Sequence, residues 1–283
     1  MKHLLPHAAK MAIGPPISGT TPIAQESRIH THLSQSHDPL KGRQLHATAP
    51  VKEGEILMVD PPYAVIPVVD NPCDSDDVIC SNSSCRRKVR RDKSLRRLGC
   101  SNCCVEEVVW CNTLCRDADS ARHALECAWL NKYAAVLRDE EGEYHFGVLW
   151  LIARALVASF LENQKTPSVA TKPAGNFSTG WTAMTELCDN RNSFPKEDMR
   201  EWKWLVRKYI CADSSPLREI ASKPDDVLTL ICQQESNSFG LYPRPTGISS
   251  TTDRGEQYGA AIYPRCSIAN HSCCPNVSPL CAC

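Results

Sequence analysis

Hydrophobic and polar positions give the chain three successive textures. The longest apolar run, Phe146–Phe160 (FGVLWLIARALVASF), carries Arg154 as its single charge. A helix apolar on all sides is buried, and a membrane span needs about 20 apolar residues. The run therefore predicts a core helix over His145–Glu162. In Met199–Cys211 (MREWKWLVRKYIC), Trp202, Leu205, Val206 and Tyr209 recur near i, i+3, i+4, i+7, which predicts a second helix with one buried face. Pro224–Cys232 (PDDVLTLIC) has Pro in its first turn with acids behind it, a helix start. Helical texture extends from about Trp129 to Thr229.

Upstream the texture is extended. Leu45–Thr48, Glu55–Val59 and Tyr63–Ile66 are short runs separated by Pro50, Gly54 and Pro61-Pro62, the pattern of a small sheet. Residues 1–36 are rich in Pro, His, Ser and Thr without apolar periodicity, which predicts a disordered tail. Residues 246–259 read as a Gly/Ser/Thr loop, and 260–283 as a short, Pro-broken, cysteine-rich end. No internal repeat is visible.

Composition then narrows the chemistry. Lys+Arg and Asp+Glu are each 32, so no global field points to nucleic acid or membrane, and electrostatic roles are local. Seventeen cysteines in 283 residues mean disulfides in an exported protein and metal sites in a reducing compartment. The N-terminus, broken by Pro6, Pro15 and Pro16, lacks an apolar stretch of signal-peptide length. The nucleus or cytoplasm, and zinc, are therefore expected; the sequons at Asn82, Asn176, Asn270 and Asn276 are read as chance.

The cysteines between the two textures are ordered as Cys80-x4-Cys85, Cys100-x2-Cys103 with Cys104 adjacent, Cys111-x3-Cys115 and His123-x3-Cys127. Short spacings let two ligands reach one tetrahedral ion, and i, i+4 residues share a helix face. Four pairs make two Zn²⁺ sites. The series resembles a MYND zinc finger. That resemblance implies interleaved ligation: Cys80, Cys85, Cys111 and Cys115 on one ion, and Cys100, Cys103, His123 and Cys127 on the other. The gap from Cys103 to Cys111 is two residues longer than the family's, leaving Cys103 and Cys104 as alternative ligands. Ser120 stands where the family often has Trp. Such a module lacks apolar material, so chelation is expected to unfold residues 80–127. Within it, Arg86–Arg97 (RRKVRRDKSLRR) holds eight basic residues and one acid. It reads either as a phosphate-contacting strip or as a solvated loop.

Two segments flank the cluster. The first is Lys41-Gly42-Arg43-Gln44-Leu45-His46-Ala47-Thr48, followed by Glu53–Leu57 and Pro61–Ala64. The second, Tyr263–Asn276, contains Asn270-His271-Ser272-Cys273-Cys274-Pro275-Asn276. The second is similar to the signature of SET domains, and Ser236–Phe239 resembles the family's N-S-F stretch. Together the segments resemble the SET-and-MYND family of protein-lysine methyltransferases. The resemblance implies an α+β SET fold of small curved sheets, split by the finger and carrying a helical insert. Its divisions would be a tail at 1–36, an N-terminal SET part at 37–79, the finger at 80–127, the insert at 128–225 and a C-terminal SET core at 226–283. It also implies S-adenosylmethionine, with Lys41, Gly42, Arg43, Asn237, Ser267, Ala269, Asn270 and His271 around it. The substrate would be a protein with an exposed lysine. Proline-rich peptides would be partners of the finger, nucleic acid a weaker one, and no membrane is expected.

Two departures qualify the resemblance. Gln44 replaces the second Gly of the usual G-x-G. After Asn276 only seven residues follow, without the family's acidic turn, channel tyrosine or further cysteines. No catalytic residue is therefore assigned, the third family zinc site at Cys273 is incomplete, and impaired turnover is expected. A catalytically inactive adaptor acting through the finger is the alternative reading.

Overall fold

A computed structural model describes residues 27–67, 77–85, 87–90, 98–164, 176–221, 223–242 and 257–278. The first elements are β1 (Arg28–Ile29), β2 (Leu33–Asp38), β3 (Gly42–Ala47), β4 (Met58–Val59) and β5 (Ala64–Pro67). β2 and β3 form an antiparallel hairpin, with Leu33 opposite Ala47 and Asp38 opposite Gly42. Asp38 Oδ1 accepts the amides of Leu40 and Lys41, both at 2.8 Å, and Gly42 takes φ +72° to close the turn. Residues 1–26 of the expected tail lie outside the described residues. Its last part is strand instead. Leu33 and Ile29 pack with Leu45 against a small core of Met58, Phe177 and Ile268, a burial that the polar run Ser34–His37 conceals in the sequence.

A three-stranded antiparallel sheet joins distant parts of the chain. β9 (Gly259–Ile262) lies between β5 and β8 (Ser238–Leu241), with Val65 and Phe239 both opposite Ala261. The Cys80–Cys127 cluster and all five α-helices described are thus spliced between β5 and β8. A separate pair, β6 (Asp77–Ile79) with β7 (Lys88–Arg90), opens the cysteine-rich part. β7 takes up part of the basic run: Val89 is buried and the Lys88 ammonium lies 4.5 Å from the Tyr258 ring centroid. Residues 88–90 of that run are strand rather than loop. Arg86 and residues 91–97 lie outside the described residues.

The helices are α1 (Thr113–Glu140), α2 (Gly142–Gln164), α3 (Gly180–Thr185), α4 (Lys196–Leu205) and α5 (Pro224–Asn237). α1 is 28 residues long and starts well before the expected helical region, capped by Asn112, whose side chain accepts the Cys115 amide at 2.8 Å. Gly142, at φ +86°, ends α1 in the left-handed conformation and lets α2 fold back on it. α2 matches the length and hydropathy of a membrane span, yet 67% of that window is buried inside the structure. α4 continues as a π-helical turn over Val206–Ile210, which adds a residue to the predicted periodicity without moving Tyr209 out of the core. The divisions expected at 36/37, 127/128 and 225/226 fall inside β2, α1 and α5.

One continuous core runs from the cysteine-rich part into the helices. It includes Cys80, Trp110 and Cys115 together with Trp129, Trp150, Leu149, Tyr209 and Ile231. Trp129 donates its indole N–H to the Tyr209 carbonyl at 2.9 Å, so its polar end is satisfied inside.

Candidate metal centres and cofactor cleft

The turn after β6, the end of the loop before α1 and the first turn of α1 converge on one point. Cys80 and Cys85 come from the first, Cys111 from the second and Cys115 from the third. Their four sulfurs lie within 4.8 Å of one another. Cys85 and Cys111 are 3.4 Å apart, Cys111 and Cys115 3.5 Å. A tetrahedron with bonds of about 2.3 Å has edges of about 3.8 Å, so this donor set fits a thiolate-bound dication. Asn82 ties the turn to the helix by donating to the Cys115 carbonyl at 3.4 Å.

The second cluster lies about two to three turns further along α1. Cys100, His123 and Cys127 are within 4.8 Å of one another, with the two sulfurs 3.8 Å apart. Cys103 is not that close to all three. It is half-buried, and burial, then the charges of Cys127 and Cys100, push its thiol up to about 12. Cys104 is exposed, and its thiol is turned toward the Leu130 carbonyl at 3.6 Å. The neighbourhood thus favours Cys103 over Cys104 as a fourth donor. His123 is buried, and neither ring nitrogen has a hydrogen-bond partner. A buried imidazole left unpaired is costly, and a cation on one nitrogen removes that cost. Burial also raises the Cys115 and Cys127 thiols, to about 12 and about 11; a bound dication reverses that logic by stabilising the thiolates. Trp110 packs edge-on to His123 at 5.1 Å, so aromatic packing reaches the last ligand helix although Ser120 is exposed and its hydroxyl donates to the Asp117 carbonyl.

Sequence reasoning passed over Glu126. It is fully buried, and its carboxylate accepts from Arg122 Nη1, from the Trp150 indole and from Arg154 Nε at 2.7 Å. It also lies 3.7 Å from His123 Nδ1. Burial opposes its ionisation, but the Arg122 and Arg154 guanidiniums outweigh that and hold its carboxyl well below the usual range. Arg154, the lone charge of the apolar run, also donates to the Val65 carbonyl on β5. The only sequence signal was a charge in a stretch with no polar face to carry it. One carboxylate therefore ties a ligand helix to the central sheet.

The cofactor candidates come from three places. Gly42 and Arg43 open β3, Asn237 ends α5, and Ser267–His271 belongs to a 3₁₀ turn (Cys266–Ile268) and the loop behind it. Asn270 Nδ2 donates to the Arg43 carbonyl at 3.4 Å, and Ser267 Oγ to the Asn237 carbonyl at 3.2 Å. Asn237 itself is fixed by donating to the carbonyls of Cys188 and Gln233, both at 2.7 Å. A Cβ placed on Gly42 would meet nothing within 4 Å, so the strand edge there is open to a ligand. Arg43 pairs with Glu186 at 3.3 Å. Ala269, Asn270 and His271 are exposed, as is Lys41 in the hairpin turn. Gln44 lies within β3 and reaches Ser36 Oγ at 3.5 Å, so the missing second Gly is accommodated as ordinary strand. Cys273 lies 3.5 Å from His271 Nε2; Cys281 and Cys283 lie outside the described residues.

No family model matches the chain. A SET and MYND domain-containing protein of Dictyostelium discoideum is 27% identical over 292 residues, covering 92% of this chain and 51% of that protein. Human N-lysine methyltransferase SMYD2 is 23% identical over 245 residues, covering 87% and 47%. The chain's relatives are SET-and-MYND proteins. Histone-lysine N-methyltransferase ASHR1 of Arabidopsis thaliana is 23% identical over 245 residues, covering 86% and 43%. The chain spans about half the length of the curated relatives it matches. Against that SET-and-MYND background, mixed helices and strands around a cysteine cluster are what the structure shows.

Proposed function

We propose that this chain forms the cofactor-binding and zinc-binding part of an S-adenosylmethionine-dependent protein-lysine methyltransferase. The observation that carries the reading is the junction of Arg43, Asn237, Ser267 and Asn270, where the Arg43 segment and two segments 30 residues apart near the other end of the sequence come together through Asn270–Arg43 and Ser267–Asn237 hydrogen bonds. Lysine methyltransferase relatives over most of the chain support it. Two zinc ions are part of the proposal, the second completed by Cys103. They hold the spliced segment so that β5 and β9 can pair. Reduced thiols are required for such ligation, which is consistent with a nuclear or cytoplasmic protein.

When bound, S-adenosylmethionine would supply an electrophilic methyl on a sulfonium. The protein's own contribution is placement, which accounts for much of the rate in a one-step displacement. Gly42 leaves the backbone free to approach the ligand. The amides and side chains of Ser267–His271 offer fixed donors and acceptors, while Arg43, its guanidinium held by Glu186, contributes the carbonyl that Asn270 meets. A lysine amine must be neutral to attack, and a dry channel beside a cation lowers its pKa by desolvation and like-charge repulsion.

Isothermal titration of the zinc-loaded chain with S-adenosylmethionine tests this. One site per chain is expected, weakened up to about tenfold by Asn270→Ala, the scale of losing one hydrogen bond. A wild-type chain that binds none would refute the proposal.

A further inference from the structure

Asp60 follows β4, and Arg265 opens the turn that leads into the Asn270-His271 loop. Both are buried, at 7% and 5% exposure. The carboxylate is fully engaged. Its Oδ1 accepts from Arg265 Nε at 2.8 Å and lies 2.7 Å from Nη2. Its Oδ2 accepts the amides of Arg265 and Cys266, each at 2.9 Å. The guanidinium in turn donates through Nη1 to Ser27 Oγ.

The placement has a physical logic. The first amides of any helical turn lack partners within it. Here Ser267, Ile268 and Ala269 bond back to Tyr263, Arg265 and Cys266 at 3.0, 3.2 and 3.1 Å. The amides of Arg265 and Cys266 are the ones left over, and Asp60 takes both, as an N-cap acid does. Arg265 balances the buried charge that results. The underside of the turn is fixed too, because Ile268 packs on Met58, two residues before Asp60.

We propose that Asp60 and Arg265 are positioning residues for the cofactor loop. The pair sets the register at which Ser267–His271 meets Gly42–Arg43, acting through the turn from a buried position. The inference rests on the cofactor reading above.

The test uses the zinc-loaded full chain as wild type, Asp60→Asn, Arg265→Gln, Arg265→Lys and the Asp60→Asn/Arg265→Gln double variant. S-adenosylmethionine affinity, zinc content and amide hydrogen exchange are measured on each. Asp60→Asn is expected to weaken binding about tenfold, the scale of a lost cap, and to speed exchange of the Cys266–Asn270 amides. Zinc content and protection of α1 and α2 should stay as in wild type. Arg265→Gln should weaken binding by a smaller factor and Arg265→Lys should largely restore it. The double variant should be no worse than Asp60→Asn within about twofold, since coupled partners are non-additive. Affinity within twofold of wild type in both Asp60→Asn and Arg265→Gln overturns the inference while leaving the cofactor reading standing. Fully additive losses overturn the coupling of the pair. A wild-type chain that binds no S-adenosylmethionine overturns the cofactor reading and this inference with it. Should Asp60→Asn lose zinc or unfold, the contrast between Arg265→Gln and Arg265→Lys decides alone, and equal affinities there count against the inference.

Discussion

Glu126 is a fully buried carboxylate with two guanidiniums, Arg122 and Arg154, bonded to it in the core. Breaking a buried pair by removing one partner leaves an uncompensated charge and costs about 3–5 kcal/mol. Glu126→Gln is therefore expected to destabilise the zinc-loaded chain by about 3 kcal/mol in urea unfolding; a loss under 1 kcal/mol would mean that water screens the site. At this scale the sequence was partly legible. Seven of the eight expected metal ligands fall into two compact clusters, because short cysteine spacings constrain geometry directly. Glu126 and Asp60 were not legible. A single acid in a mixed stretch looks like surface until its distant partners are known, and the partners Arg154 and Arg265 are 28 and 205 residues away.

Turns and helix ends decide the elements. Gly142 and Gly180 both have positive φ, but their surroundings differ. A Cβ at Gly142 meets nothing, whereas at Gly180 it would lie 2.0 Å from Glu162 Oε1. Gly142→Ala should cost only the left-handed backbone penalty of about 1–2 kcal/mol. Gly180→Ala should cost more, because Glu162 must also release the Trp181 amide that it accepts at 3.0 Å. Thermal melts of the two variants check the order, and equal shifts would show that Glu162 moves freely. The α2, α4 and α5 helices could be read, from an apolar run, from apolar spacing and from a Pro-and-acid start respectively, because those signals are local in sequence. α1 could not be read at its start. Asp117, Ser120 and Arg122 interrupt the apolar pattern, and the buried members of that turn are Asp119, Arg122 and His123, whose partners are polar. The strands β2 and β1 were hidden for the same reason: their packing rests on isolated Leu33 and Ile29 within polar sequence.

For the whole molecule, the spliced arrangement makes metal and sheet interdependent. From the second cluster, where His123 lies 3.7 Å from Glu126, Glu126 and Arg154 lead by hydrogen bonds to Val65 on β5. Chelation is expected to release the Cys80–Cys111 segment and fray the start of α1, while the part beyond Trp129 stays packed in the tryptophan core. Hydrogen exchange would show that gradient along α1; uniform protection after complete metal removal would contradict it. Cys115→Ser and Cys100→Ser should each lose one ion and keep the other, because the two clusters share no ligand. On this reading a single fold assembles two metal sites and one cofactor site. Native mass spectrometry of the reduced chain reads both at once. A species carrying two zinc ions that gains one S-adenosylmethionine on titration is expected. A compact, metal-free species, or a two-zinc species that takes up no cofactor, would contradict it.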